Sequence, residues 1–147
     1  MPHRIPQPPF TDRLRLEPLG PEHNERDHAA WMTSIDYIHG LPGFQDGEWG
    51  DDPWPYPMSL AENKNDLVKH REEFDAGIAF VYSVIDPETD DVVGCVYIDP
   101  DNSGPAEMVM RCWTRVSHAH LDAELATVVI DWLAADWAFL SVRTPGR

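Results

Sequence analysis

The stretch IAFVYSVIDPETDDVVGCVYIDPDNSGPAEMVMRCWT, Ile78–Thr114, decides the fold. Three apolar runs, Ile78–Ile85, Val92–Ile98 and Ala106–Thr114, are separated by DPETDD and DPDNSGP, whose Asp, Pro, Asn and Gly residues favour tight turns. Runs of this length joined in this way predict an antiparallel meander of three strands. The first two are apolar on both faces, which predicts a sheet covered on both sides. The third sets Ala106, Met108, Met110 and Cys112 on one face and Glu107, Val109, Arg111 and Trp113 on the other. Gly94, inside the second run, marks a bulge or a close backbone approach.

Upstream, DRLRLEPL alternates with Leu14 and Leu16 on one face, the period of a half-buried strand over Arg13–Pro18. Gly20 and Pro21 then open a helix, and Trp31, Ile35 and Ile38 follow at helical spacing as far as Gly40. Leu41–Met58 carries Pro42, Pro53, Pro55 and Pro57, three glycines, and the rings of Phe44, Trp49, Trp54 and Tyr56. It predicts a long aromatic loop, either pinned to the body by its rings or lining a ligand site. On the second reading Trp49, Trp54 and Tyr56 are the candidate substrate-binding residues. Ser59 and Glu62 make a capping box for a second helix running to about Gly77, whose sparse apolar positions (Leu60, Leu67, Phe74) place it on the surface.

Downstream, Leu121, Leu125, Val128, Val129, Trp132, Leu133 and Trp137 lie on one helical stripe, so a strongly amphipathic helix packs on the sheet. Ser117 is its expected cap. FLSVRTPGR then reads as a last short strand.

The 147 residues fit one domain, expected over residues 11–147 behind a proline-rich arm at 1–10. No apolar run approaches the ~20 residues of a membrane span, and the N-terminus lacks the apolar stretch of a signal peptide, so a cytoplasmic protein without membrane contact is expected. The net charge of −15, from 26 acidic and 11 basic residues, repels phosphate backbones. That excludes nucleic acid and favours a small amine or peptide ligand. Cys95 and Cys112 sit within apolar runs and are expected as buried thiols rather than as a disulfide or a catalytic thiolate.

The order is strand, two helices, three antiparallel strands, a packed helix and one more strand. With TDRLRLEPL at its start, VVGCVYIDP in its third strand and WTRV ending its fourth, the chain resembles the GNAT superfamily of N-acetyltransferases from about Thr11 to Arg143. The resemblance implies an α+β fold, a mixed, mainly antiparallel sheet flanked by helices. It is truncated at the C-terminus relative to the family, which adds a helix and two strands and often carries in that helix a tyrosine that protonates the departing thiolate. The missing cover over a sheet edge implies a homodimer or larger assembly.

In that family acetyl-CoA's pyrophosphate rests on a loop of pattern Arg/Gln-x-x-Gly-x-Gly/Ala between the fourth strand and the next helix, where amides and a helix N-terminus converge on the anion. With Leu125 aligned to the family's leucine, Ser117, His120 and Asp122 stand at the patterned positions, and none matches. A carboxylate about 4 Å from a diphosphate charge repels it by roughly 4 kcal/mol at an effective dielectric near 20, so acetyl-CoA binding is expected to be weak or absent. Asp122 and Glu124 have a structural reading as first-turn acids that offset the helix dipole. The rival reading has Arg115, His118 and His120 holding phosphate with side chains. Trp113, Thr114, Arg115, Ser117, His118 and His120 are therefore the candidate cofactor residues.

His118, His120 and Asp122 would share a face of a strand but not of a helix, so no metal is expected. Acetyl transfer needs a base and a carbonyl donor. Relatives often carry a carboxylate on the fourth strand, which makes Glu107 the first candidate base, followed by Asp99 and Glu17. The donor in relatives is a backbone N–H near the strand's end, here Cys112–Thr114. The expected function is a divergent acetyltransferase acting on a small amine or a protein N-terminus. The alternatives are a module that keeps the fold without the cofactor and a purely structural or interaction protein.

Overall fold

The computed structural model describes residues 5–45, 53–102 and 104–147. Its five strands, β1 (Arg15–Pro18), β2 (Phe80–Ile85), β3 (Val92–Pro100), β4 (Met108–Thr114) and β5 (Val142–Arg143), form one sheet in that spatial order. Neighbours are antiparallel except β4 and β5, which run parallel. The expected α+β sheet is what forms. Among the described residues four helices accompany it: α1 (Asn24–Met32), α2 (Ile35–His39), α3 (Leu60–Asp75) and α4 (Asp122–Asp136).

The meander forms because β2 and the first seven residues of β3 find cover on both faces of the sheet. Leu14, Leu16, Phe80, Tyr82, Val84, Val96, Ile98, Met110 and Cys112 pack under α4, through Leu125, Val129, Trp132 and Leu133. Val81, Ile85, Cys95, Tyr97 and Trp113 pack on the opposite face under Trp31, Ile38 and Leu67. Between them Val93 is the extra residue of a bulge, since Val84 pairs with Gly94 and Ile85 with Val92. Gly94 also lies against the Trp113 carbonyl, where a Cβ would collide. Both readings of that glycine hold.

Three expectations change. The first helix is not continuous from Pro21 to Gly40: a 3-10 turn at Pro21–His23 precedes α1, and the chain breaks between α1 and α2. Thr33 Oγ1 donates to the Ala29 and Ala30 carbonyls at 3.0 Å each, and buried Ser34 turns its hydroxyl away to accept from Val116 N–H at 2.9 Å. The first strand starts at Arg15, because Thr11 Oγ1 accepts from Leu14 N–H and folds residues 11–14 into a turn. Ser117 does not cap α4. Val116–Leu121 is a 3-10 turn, α4 begins at Asp122 without a side-chain cap, and the Ser117 hydroxyl meets His118 Nδ1 at 2.9 Å.

The capping box is present as expected: Glu62 N–H donates to Ser59 Oγ, and Ser59 N–H to Glu62 Oε1, both at 3.1 Å. The cysteines are free and buried. Burial drives the Cys95 thiol well above its ordinary range and that of Cys112 up to about 12, so both stay protonated. Among the described residues no helix is long and apolar enough to cross a membrane.

Candidate functional site

Two pairs hold β4 and β5 together, Met108 with Val142 and Val109 with Arg143. Beyond Val109 the strands part. Met108 N–H donates to Ser141 O and the Cys112 carbonyl accepts from Arg147, so β4's even-numbered residues turn their backbone groups toward β5. By that alternation the N–H groups of Cys112 and Thr114 point to the open side. Beyond Val109 no strand pairs with this side of β4 among the described residues, and the Cys112 carbonyl there is held by Arg147.

The turn at the end of this edge is closed upon itself. His118 N–H donates to the Arg115 carbonyl, Asp122 N–H to the Ala119 carbonyl and Val116 N–H to Ser34 Oγ. These amides are therefore committed within the fold and do not converge on an anion. Asp122 itself is neutralised: Arg147 Nη1 meets its Oδ2 at 2.6 Å, and the two side chains are 11% and 13% exposed. The rings of His118 and His120 stack with centroids 6.0 Å apart, His118 half-buried and His120 exposed.

On the α1–α3 side of the sheet lies a cavity of about 170 Å³. Trp31 on α1, Trp54 on the aromatic loop and Tyr97 on β3 supply its rings, and Asp27, Asp66 and Glu73 its carboxylates. Trp54 joins the cavity to β4, its ring 6.1 Å from that of Trp113 and 5.5 Å from that of Trp31. Asp27 is 4% exposed and accepts from Asn63 Nδ2 at 3.0 Å. Burial pushes its carboxyl up to about 6, against the pull of the Asn63 hydrogen bond and of nearby His23. His70 lines the same cavity; burial lowers it to about 4, and its Nδ1 has no hydrogen-bond partner among the described residues. Rings beside carboxylates suit an organic cation, which gains both charge pairing and contact with ring faces.

No protein-family profile matches the chain, and no curated protein does. Solved structures do. RimL, a ribosomal L7/L12 α-N-protein acetyltransferase in complex with coenzyme A, superposes with a TM-score of 0.62 at 14% identity, over 86% of this chain and 66% of its own. The ribosomal-protein-S5-alanine acetyltransferase from Vibrio fischeri gives 0.60 at 14% identity, over 85% and 65%. A Bordetella pertussis protein assigned to the GNAT family of acetyltransferases gives 0.61 at 17% identity, over 86% and 71%. The chain has the GNAT acetyltransferase fold. It spans about two thirds of the length of the first two structures.

Within this GNAT fold the three candidate bases stand apart. Glu17 is on β1, at the far edge of the sheet, where hydrogen bonds from His23 and Arg15 hold its carboxyl low. Glu107 opens the approach to β4 and binds the segment before β5, accepting from Leu140 N–H at 2.6 Å. Asp99, next to last in β3, feels Arg111 and Glu73; burial and the Glu73 charge push it up to about 6 against the pull of Arg111. Asp99 feels the charge of Glu73, a residue of the cavity wall.

Trp113 and Thr114 are fully buried, and Trp113 Nε1 donates to the Tyr97 hydroxyl at 3.0 Å, so only their backbones can face a ligand. Arg115 is anchored by Nη1 to the Val92 carbonyl. Of the aromatic-loop residues, Trp54 lines the cavity, Tyr56 is 44% exposed outside it, and Trp49 lies outside the described residues. Asp27, His70 and Tyr97 are site residues that sequence reasoning missed. Asp27 stands four residues before Trp31, on the same side of α1, which was the available signal.

Proposed function

We propose that this GNAT-fold chain transfers an acetyl group from acetyl-CoA to a small amine. The observation that carries the reading is the parting of β4 from β5 beyond Val109, which turns the Cys112 and Thr114 amides toward an open edge in a fold shared with acetyltransferases. That edge fits the amide-bearing arm of the coenzyme, because alternate strand amides and carbonyls are the groups such an arm pairs with. The turn at 116–122 does not offer an amide cradle for the diphosphate. In this reading the side chains of Arg115, His118 and His120 take the anion instead.

The bound coenzyme supplies an acetyl thioester activated for transfer. The Cys112 or Thr114 N–H polarises the carbonyl oxygen by hydrogen bonding. The acceptor's ammonium rests in the Trp31–Trp54–Tyr97 cavity beside Asp27, and Asp99, ionised above pH 6, removes its proton. The amine nitrogen then bonds to the acetyl carbon as the carbon–sulfur bond breaks, and the thiolate leaves. A cavity of this volume supports a compact amine over a polypeptide N-terminus. Leu140, 94% exposed beside Trp137 and Phe139, and the two-residue β5 support pairing with a second copy of the chain.

The committed amides at 116–122 favour one other reading, a binding module that keeps the cavity without the coenzyme. The deciding experiment incubates the chain with millimolar acetyl-CoA and a panel of small primary amines, following free thiol and acetylated product. Release of thiol matched by product, with Asp99→Asn slowing it about a hundredfold, supports transfer. A product rate equal to that without protein excludes it, and amine binding alone then selects the module.

A further inference from the structure

We infer that residues 144–147 form a strap over the open edge of β4, fastened by Arg147, and that acetyl-CoA reaches that edge only as Arg147 leaves it. The second half rests on the acetyl-transfer reading; the first stands on geometry alone. The strap hangs between two arginine–aspartate pairs. At its base, Arg143 on β5 donates through Nε and Nη2 to the two carboxylate oxygens of Asp101, both at 2.8 Å. Four residues on, Arg147 reaches both oxygens of Asp122, at 2.6 and 3.2 Å.

Between these pairs the chain turns tightly. Arg147 N–H donates to the Thr144 carbonyl at 3.1 Å, and Gly146 adopts φ +72 with its Cα face so close to Pro42 that a side chain there would strike the ring. The turn delivers the guanidinium to β4 itself: Nη2 donates to the Cys112 carbonyl at 3.0 Å and lies 3.5 Å from Cys112 Sγ. That carbonyl is the acceptor an extended ligand on this edge requires, so Arg147 and the ligand compete for one group. The pair is largely shielded from water, which makes the contact stronger than a surface ion pair and gives the strap a definite closed state. Closed, the strap holds the edge and cancels the Asp122 charge. Open, it leaves the edge accessible and Asp122 bare.

Cys112 reports the strap directly, since its thiol lies beneath Arg147, and Cys95, buried on the other face of the sheet, is the internal control. The full chain is treated with a small disulfide reagent, and the labelled peptides are quantified by mass spectrometry for wild type, Arg147→Ala and Arg147→Lys. Cys112 is expected to label about tenfold faster in both variants while Cys95 is unchanged, because a local opening has become easier. If Arg147→Ala unfolds, Cys95 labels faster too, and Arg147→Lys, which keeps the charge but not the fork, decides. Equal Cys112 rates in wild type and Arg147→Lys overturn the strap.

The coenzyme half is read by calorimetric titration with acetyl-CoA. The double variant Arg147→Ala/Asp122→Asn, with edge open and carboxylate gone, is expected to bind about tenfold more tightly than wild type. Unchanged or weaker binding in that variant overturns the gate. Faster Cys112 labelling with no coenzyme binding by any variant overturns the gate together with the acetyl-transfer reading, and confirms the strap as a cover.

Discussion

Asp27→Asn isolates the free-energy cost of keeping a carboxylate inside the cavity. Asp27 is 4% exposed and accepts from Asn63 Nδ2, which also donates to Asn24 Oδ1 at 2.9 Å, while Asn63 Oδ1 accepts from Trp31 Nε1 at 3.3 Å. Burial moves the carboxyl from 3.8 to about 6. Below pH 3.8 the folded and unfolded chains both hold the proton, and the group has no effect on stability. Between 3.8 and 6 the unfolded chain releases it first, so stability falls as pH rises through this window. At roughly 1.36 kcal/mol per pH unit, a shift of about two units removes about 3 kcal/mol by pH 7. Asparagine keeps the shape and an acceptor oxygen without the charge. Urea unfolding from pH 3.5 to 8 should show the variant up to about 3 kcal/mol more stable than wild type at pH 7, with the difference vanishing near pH 3.5. Asp99, also raised to about 6, adds a slope common to both proteins, so their difference is the readout. A small alkylammonium should stabilise wild type more strongly above pH 6 than below it, and Asp27→Asn hardly at all. A variant less stable than wild type at pH 7, with the same pH slope, would show that the buried Asp27 carboxylate carries no such cost.

Other perturbations probe separate parts of the account. Ser34→Ala strips the Val116 N–H of its acceptor and should cost about 1–3 kcal/mol in urea unfolding; no change would mean that the α1–α2 break has another cause. Gly94→Ala drives a methyl into the Trp113 carbonyl and should cost at least about 1–3 kcal/mol, read from the thermal midpoint. Glu107→Gln should leave the pH profile of acetylation unchanged, because Glu107 holds the Leu140 amide, whereas Asp99→Asn should abolish the limb near pH 6. Sedimentation at micromolar concentration should show a dimer, and Leu140→Lys should shift it to monomer; a wild-type monomer would contradict the pairing of two copies.

The parts legible in the sequence were those whose cause is local. The meander follows from runs of apolar residues parted by Asp-Pro turns, the start of α3 from Ser59 and Glu62 three residues apart, and α4 from its stripe. The site was less legible because its contacts cross the chain. The Asp122–Arg147 pair spans 25 residues without a periodic signal, so Asp122 read as a bare charge facing the groove, when the fold supplies its countercharge. The Ser34 hydroxyl reaches 82 residues along the chain to Val116, and that tertiary bond ends a helix whose apolar spacing continues through Ile35 and Ile38. Glu107 had the residue type of a base, and its hydrogen bond to Leu140 depends on where β5 docks. Asp27 belongs to no motif and was not singled out; its place in the cavity depends on α3, whose Asn63 donates to it.

The most direct test of the β4 edge as the coenzyme's seat, on which acetyl transfer depends, is a titration of the isotopically labelled chain with acetyl-CoA, followed by amide NMR. Saturable shifts are expected at Cys112, Thr114 and the strap residues Thr144–Arg147 at millimolar coenzyme, with the β1 and β2 amides unmoved. Resonances of residues 110–122 and 144–147 that stay in place at that concentration would contradict that seat.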